Sequence, residues 1–168
     1  MIAMSQRLFA LFILLSVGIH GCSTDVSGDA KWRGGYSKGQ MLRLRTDAYC
    51  YTFQHPCDYP RKCGLQITTD PSADPQAPAM SADWERLFER KVVARLPEGT
   101  RLRVDTVEYV TTPNTTTLVP HAVILDGAER GKQVSLLGIS VDVPASGYPN
   151  PLSPDLAIVE VVSDSAGG

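Results

Sequence analysis

The N-terminal segment is the feature that most restricts where and how this chain can fold. An uncharged, largely apolar run, LFALFILLSVGI, extends from Leu8 to Ile19 behind a single basic residue, Arg7. A bilayer-spanning helix needs about 20 apolar residues, whereas a run of about 7–15 behind a positive charge is typical of a secretory signal peptide. We therefore predict that residues 1–21 are a signal peptide and that the rest of the chain folds outside the cytoplasm.

The run ends in Ile19-His20-Gly21-Cys22, which resembles the bacterial lipobox. The resemblance implies cleavage before Cys22 and acylation of that cysteine, although His20 departs from the small residue that the pattern prefers. The residue after the cysteine is Ser23 and not Asp, which in Gram-negative bacteria implies, by the same resemblance, the outer membrane, with the domain on its periplasmic face. Several acyl chains, at about 0.8 kcal/mol per buried CH₂, make an effectively permanent anchor in the lipid bilayer. Simple secretion and an uncleaved anchor are the alternatives.

Cleavage before Cys22 leaves a chain of ordinary single-domain size. Residues 22–35 lack periodicity and are rich in Ser, Asp and Gly, so we predict a flexible tether between lipid and domain. Trp32 within it either touches the membrane interface or packs on the edge of the domain. The net charge of −2 includes no basic excess, which argues against nucleic acid as a partner.

Alternation with a period of two predicts a mainly β domain over residues 36–143. Leu42 and Leu44 alternate with arginines and predict a half-buried strand. A second strand lies within residues 100–110, where a change of phase near Asp105–Thr106 indicates a bulge. We predict further strands within residues 117–127 and 132–142. Residues 144–168 form a Pro-rich segment in which four prolines exclude regular structure over 144–154, a candidate last strand follows at 155–162, and the tail is frayed.

A long insertion, residues 54–95, interrupts this pattern with turn-rich sequence and one short predicted helix. Ser81 is a suitable N-cap, and Trp84, Leu87 and Phe88 fall on one face of the helix. The fold class predicted is thus a small antiparallel barrel with one short helix in a long insertion.

Three motifs carry a resemblance to the bacterial Src-homology-3-like domain. They are a Lys-Gly opening before a strand and Asp-Ala, a Pro-x-Gly-Thr turn into a bent strand, and an Asp-Gly-x-x-x-Gly-Lys hairpin. In this chain they occupy residues 34–51, 96–104 and 122–136. The resemblance implies a small β-barrel that binds cell-wall peptide, and the insertion is where this chain departs from the family.

Three cysteines other than Cys22 lie close together, at Cys50, Cys57 and Cys63, with His55 among them. Four such ligands could hold zinc, but the spacings are wider than zinc sites usually show and an oxidising compartment favours disulfides. We predict a disulfide between Cys57 and Cys63, which flank a turn-like loop, with the two pairings that involve Cys50 as alternatives. One thiol then remains, and no known thiol-enzyme motif surrounds any of the three.

Two tyrosines flank Cys50 in the strand. If Cys50 points inward with Leu42 and Leu44, then Tyr49 and Tyr51 point outward and form a candidate binding surface. The alternative is that the helix of the insertion packs on them.

These features predict a membrane-anchored periplasmic lipoprotein that is not an enzyme, needs no cofactor, and acts as a binding or scaffold module. Peptidoglycan or an envelope protein is the candidate partner, and an accessory subunit of an envelope complex is a variant of the same hypothesis. The competing hypothesis is an envelope enzyme or metal-binding protein that uses Cys50, Cys57, Cys63 and His55.

Overall fold

The computed structural model describes residues 22–53, 64–70, 90–112, 115–144 and 149–162. Within these ranges the regular structure is β, which confirms the mainly β fold class. The strands are β1 (Cys22–Asp25), β2 (Met41–Leu44), β3 (Ala48–Phe53), β4 (Leu65–Thr68), β5 (Arg90–Leu96), β6 (Arg101–Thr112), β7 (Thr115–Ile124), β8 (Gln133–Gly138), β9 (Ser140–Asp142), β10 (Leu152–Pro154) and β11 (Val159–Val162). The same ranges contain no helix with the length and apolar character that crossing a bilayer requires.

One sheet contains nine of these strands. Its order is β11, β2, β6, β7, β8, β4, β3 and β5, with β1 paired to β6, while β9 and β10 form a separate pair. Strands β4 and β8 run parallel, and the other described pairs are antiparallel. The end strands β11 and β5 are not paired with each other, so the sheet stays open over the described residues and does not form the closed barrel that we predicted.

The longest strand, β6, organises the sheet. Strand β7 pairs with one of its edges from Leu102 to Thr112. The other edge is shared, because β2 pairs with residues 101–103 and β1 pairs with residues 108–111. The register with β7 shifts between Val104 and Thr106, which confirms the bulge predicted near Asp105. A bulge bends its strand, so β6 can change partners partway along its length.

The core lies on the face of the sheet to which the alternating apolar residues point. Leu42 and Leu44 are buried there as predicted. The arginines between and after them are exposed. Other buried members come from β3, β4, β6, β7, β8 and β11: Cys50, Ile67, Leu102, Val104, Val107, Leu118, Ile124, Val134, Leu136 and Val159.

Part of the predicted insertion belongs to the sheet. Strand β4 lies between β3 and β8, and β5 pairs with the other edge of β3. The prediction of a loop-like insertion is therefore wrong for residues 65–68 and 90–95, which extend the sheet. The predicted helix from Ser81 lies outside the described residues.

The Pro-rich segment contains a strand, so the prediction that its prolines exclude regular structure is wrong for residues 152–154. Strand β10 lies within residues 144–154 and pairs with β9, which precedes that segment. Pro154 is tolerated because β10 pairs only with β9 among the described strands, and an edge position does not need every N–H group. The last strand starts later than predicted, at Val159, because the carbonyl of Asp155 accepts hydrogen bonds from the N–H groups of Ile158 and Val159 and holds a turn there.

The close approach of β4 and β8 predicts that a side chain at position 138 destabilises the domain. A Cβ atom at this position would lie 2.3 Å from the carbonyl oxygen of Ile67. We expect Gly138→Ala to lower the free energy of unfolding by about 1–3 kcal/mol, because backbone would have to move. Urea unfolding of residues 22–168 measures this change.

Gly28→Ala is the matched control, since a Cβ atom there has nothing within 4 Å. Equal urea midpoints for the two alanine variants would contradict this account of the β4–β8 contact.

Candidate functional site

The predicted lipid-attachment residue, Cys22, lies within the folded domain. It is the first residue of β1, and its backbone is the register partner of Thr111, near the end of β6. The prediction of a flexible tether over residues 22–35 is therefore wrong. These residues form a strand and a series of turns packed against β6.

Hydrogen bonds to Val107 hold the segment that follows β1. The N–H group of Val26 donates to the carbonyl of Val107 at 2.8 Å. The N–H group of Val107 donates to Oγ of Ser27, also at 2.8 Å. The N–H and hydroxyl groups of Ser27 in turn donate to the carboxylate of Asp25, which lowers the pKa of that carboxyl group. Ser27 thus continues the attachment to β6 where the β1 ladder ends.

An aromatic pair lies beside this segment. The rings of Trp32 and Tyr109 meet edge to face, with centroids 5.4 Å apart. The ammonium group of Lys31 lies 4.2 Å from the centre of the Trp32 ring. Trp32 packs against the core while staying partly exposed, so it lies on the edge of the domain, and this packing leaves part of its ring able to contact a membrane surface as well.

The next turns lead into the core through Gly34 and Tyr36. Gly34 has a φ of 60°, and a Cβ atom there would lie 2.0 Å from the carbonyl oxygen of Leu152, so the chain passes close to β10. The Tyr36 ring is buried, and its hydroxyl lies 2.6 Å from Oγ of Ser140. Burial raises the pKa of Tyr36 to about 12, although the Ser140 hydrogen bond opposes the shift.

Cys50 is a fully buried free thiol in β3, where its register partners are Ile67 and Ala94. Burial raises the pKa of this thiol to about 12, and the negative charge of Glu129 acts in the same direction. A thiol in this state is a small core group, since nucleophiles and metal ligands are thiolates. Cys57, Cys63 and His55 lie outside the described residues. The disulfide between Cys57 and Cys63 therefore stays a prediction.

Tyr49 and Tyr51 do not form the exposed surface that we predicted. Their side chains are only 8% and 6% exposed, although strand alternation directs them away from the Cys50 side. The Tyr51 hydroxyl donates to Oε1 of its cross-strand neighbour Gln66 at 2.9 Å. Strand β3 is buried on both faces, and alternation in the sequence cannot distinguish such a strand from one that is half-exposed.

In the described part of the chain, no three His, Cys, Asp or Glu side chains lie close enough together to hold a metal ion. The histidine in the described part of the chain is His121 on β7, which lies opposite Thr106 at the bulge. Burial lowers the pKa of His121, while the charges of Glu108 and Asp105 oppose the shift. The Asp105 carboxylate is also hydrogen-bonded by the side chain of Gln133 at 2.8 Å. Burial thus favours the neutral form of the His121 imidazole.

Comparison with protein-family models, with curated proteins and with solved structures gives no match for this chain. The candidate site therefore depends on its own geometry: a strand that starts at Cys22, held on β6 by Ser27 and flanked by Trp32 and Tyr109. Cys22 was found from the sequence. The roles of Ser27 and Tyr109 were missed, because they depend on contacts between distant parts of the chain.

We expect Ser27→Ala to destabilise the domain, because the buried N–H group of Val107 would lose its acceptor. The free energy of unfolding should fall by about 1–3 kcal/mol, the usual effect of leaving a buried donor unsatisfied. Urea unfolding of residues 22–168 tests this, with Ser37→Ala as the control at an exposed serine. Equal losses in the two variants would show that Ser27 does not secure β1.

His121 predicts a pH dependence of stability. Because its pKa in the folded state is depressed, the unfolded chain binds a proton first as the pH falls below the ordinary value of 6.5. The stabilising effect of the neutral imidazole is therefore complete above about pH 6.5 and is lost as the pH falls through the folded pKa. His121→Gln should flatten the dependence of the free energy of unfolding on pH below about pH 6.5, measured by urea unfolding across a pH series. The same slope in variant and wild type would contradict the assignment.

Proposed function

We propose that this protein is a bacterial lipoprotein, anchored in the outer membrane by an acylated Cys22, whose β domain is a non-enzymatic binding or scaffold module on the periplasmic side. One observation carries the proposal. The lipobox-like residues 19–22 end at the first residue of β1, so cleavage before Cys22 would leave every described strand in the mature protein. The proposed site of processing therefore coincides with the start of the first described strand.

The arrangement of the strands supports a degenerate Src-homology-3-like domain as the module. The segments that carry the resemblance form β2, the first part of β3, the start of β6 and the β7–β8 hairpin. Of these, β2, β6, β7 and β8 are consecutive in the sheet, whereas β3 lies between β4 and β5. Their turns need the glycines of the motifs, because each has a positive φ that other residues rarely adopt. These glycines are Gly39, Gly99, Gly127 and Gly131.

An ion pair between Arg101 and Asp126 also holds the turn of the β7–β8 hairpin. The side chain of Arg101 donates two hydrogen bonds to Asp126, at 2.7 and 3.0 Å, and its backbone N–H group donates a third at 2.8 Å. These bonds lower the pKa of Asp126 to about 2. Asp126 therefore fixes the Asp-Gly turn to the start of β6, which gives the motif a structural reason for its aspartate.

The candidate partners are cell-wall peptide and an envelope protein, and both come from the resemblance. Cosedimentation of residues 22–168 with purified peptidoglycan distinguishes them. The buried thiol of Cys50, with its raised pKa, argues against the competing hypothesis of an enzyme or metal site that includes this cysteine.

The proposed acylation of Cys22 predicts that a bacterium expressing the full chain attaches labelled palmitate to the protein. We expect the wild-type protein to carry the label and to sediment with membranes, and Cys22→Ser to lose both properties because no other residue fits the lipobox. Cys50→Ala is the matched control and should keep both. Label on Cys22→Ser, or an unlabelled wild type, would overturn the proposal.

A further inference from the structure

The position of Cys22 in the sheet fixes which end of the domain is next to the anchor. Strand β1 runs antiparallel to β6, so Cys22 lies beside Thr111, close to the end of β6 at Thr112. Strand β7 starts at Thr115, the register partner of Thr112, so the start of β7 lies at the same end. An acyl chain on Cys22 would therefore emerge at the end of a three-stranded unit, with no linker between lipid and strand.

This end of the three strands carries no charged side chain. Residues 22–24 and 109–120 contain no Asp, Glu, Lys, Arg or His, and five of them in β6 and β7 are threonines. The first charges occur at Asp25 and Glu108, which are register partners. At about 3.3 Å per residue, the uncharged end is about 10 Å deep, comparable to the polar layer of about 5–7 Å on each side of a bilayer.

The aromatic pair lies at the inner border of this uncharged end. Tyr109 is the register partner of Thr24, two residues along β1 from Cys22, which is about 7 Å. Trp32 is stacked edge to face on Tyr109 and is partly exposed, with Lys31 over its ring. Trp and Tyr favour the membrane interface because their rings combine apolar and polar parts, and the long side chain of Lys can reach water from there.

We infer that the charge-free end of β1, β6 and β7 lies directly on the bilayer surface, with Trp32 and Tyr109 at the level of the lipid headgroups. The inference rests on the proposed acylation of Cys22 and adds an orientation to it. The opposite end of the sheet then points into the periplasm, roughly 30 Å away along β6. That end carries the turn at Pro97–Thr100 and the turn at Asp126–Gly131, with the Arg101–Asp126 pair between them.

Depth-dependent quenching of Trp32 fluorescence tests this orientation. The chain has two tryptophans, so Trp84→Phe leaves Trp32 as the only emitter. The acylated Trp84→Phe protein is placed in phosphatidylcholine vesicles that carry a nitroxide either on the headgroup or deep in the acyl chain. We expect the headgroup nitroxide to reduce Trp32 emission, and to do so more than the deep one.

A linker variant supplies the critical comparison. About 15 Gly and Ser residues, starting with Ser, are inserted between Cys22 and Ser23, which would let the domain move about 20 Å from the surface. Quenching by the headgroup nitroxide should then be lost, whereas the same residues added after Gly168 should leave it unchanged. Intact mass confirms acylation of every sample.

The two proposals fail in different ways. An unacylated wild-type protein would overturn the proposed function. An acylated protein whose Trp32 is not quenched, or is quenched equally with the linker at Cys22, would overturn the orientation and leave the lipoprotein proposal standing.

Discussion

The pairing of β6 with β7 is the interaction on which the rest of the structure depends. It is continuous from Leu102 to Thr112, and it leaves the second edge of β6 free for β2 and β1. The bulge at Asp105 divides that edge, because the carbonyl and N–H groups of Val104 there bond to Gly39 and Gln40 in the turn before β2. Because a bulge bends its strand, the stretch of this edge that pairs with β2 and the stretch that pairs with β1 need not be collinear.

The same strand separates two chemically different ends. Next to Arg101 the outer surface carries ion pairs, including Arg101–Asp126 and the cross-strand pair of Arg43 with Glu160. Such exposed pairs contribute little to stability, but they keep this end hydrated and suited to a polar partner. Beyond Glu108, the strand continues through uncharged residues to Thr112. This asymmetry suits the proposed arrangement, in which one end lies on a lipid surface and the other meets a partner in solution.

Local signals in the sequence predicted those parts of the fold that local physics determines. Alternation placed Leu42 and Leu44 in the core, and the change of phase located the bulge at Asp105. Strand β1 has no such signal, because Cys-Ser-Thr-Asp contains no alternating apolar residues and is a strand only through its partner β6. For the candidate site, Cys22 was predictable from a short motif, but its neighbour Thr111 comes from the distant end of another strand. Tyr49 and Tyr51 were misjudged for a similar reason, since their burial depends on what lies over β3.

Strand β1 is held by few interactions, and this gives Ser27 an importance beyond stability. Two negative residues, Asp25 and Glu108, are directly opposite each other in the ladder, which weakens the pairing. The hydrogen bonds at Val107 and the packing of Trp32 on Tyr109 oppose that weakness. If β1 separated from β6, residues 22–26 would become a short linker and the domain could leave the surface. In the proposed orientation, the geometry at the membrane is therefore set by the same few contacts that make the N-terminal segment part of the fold.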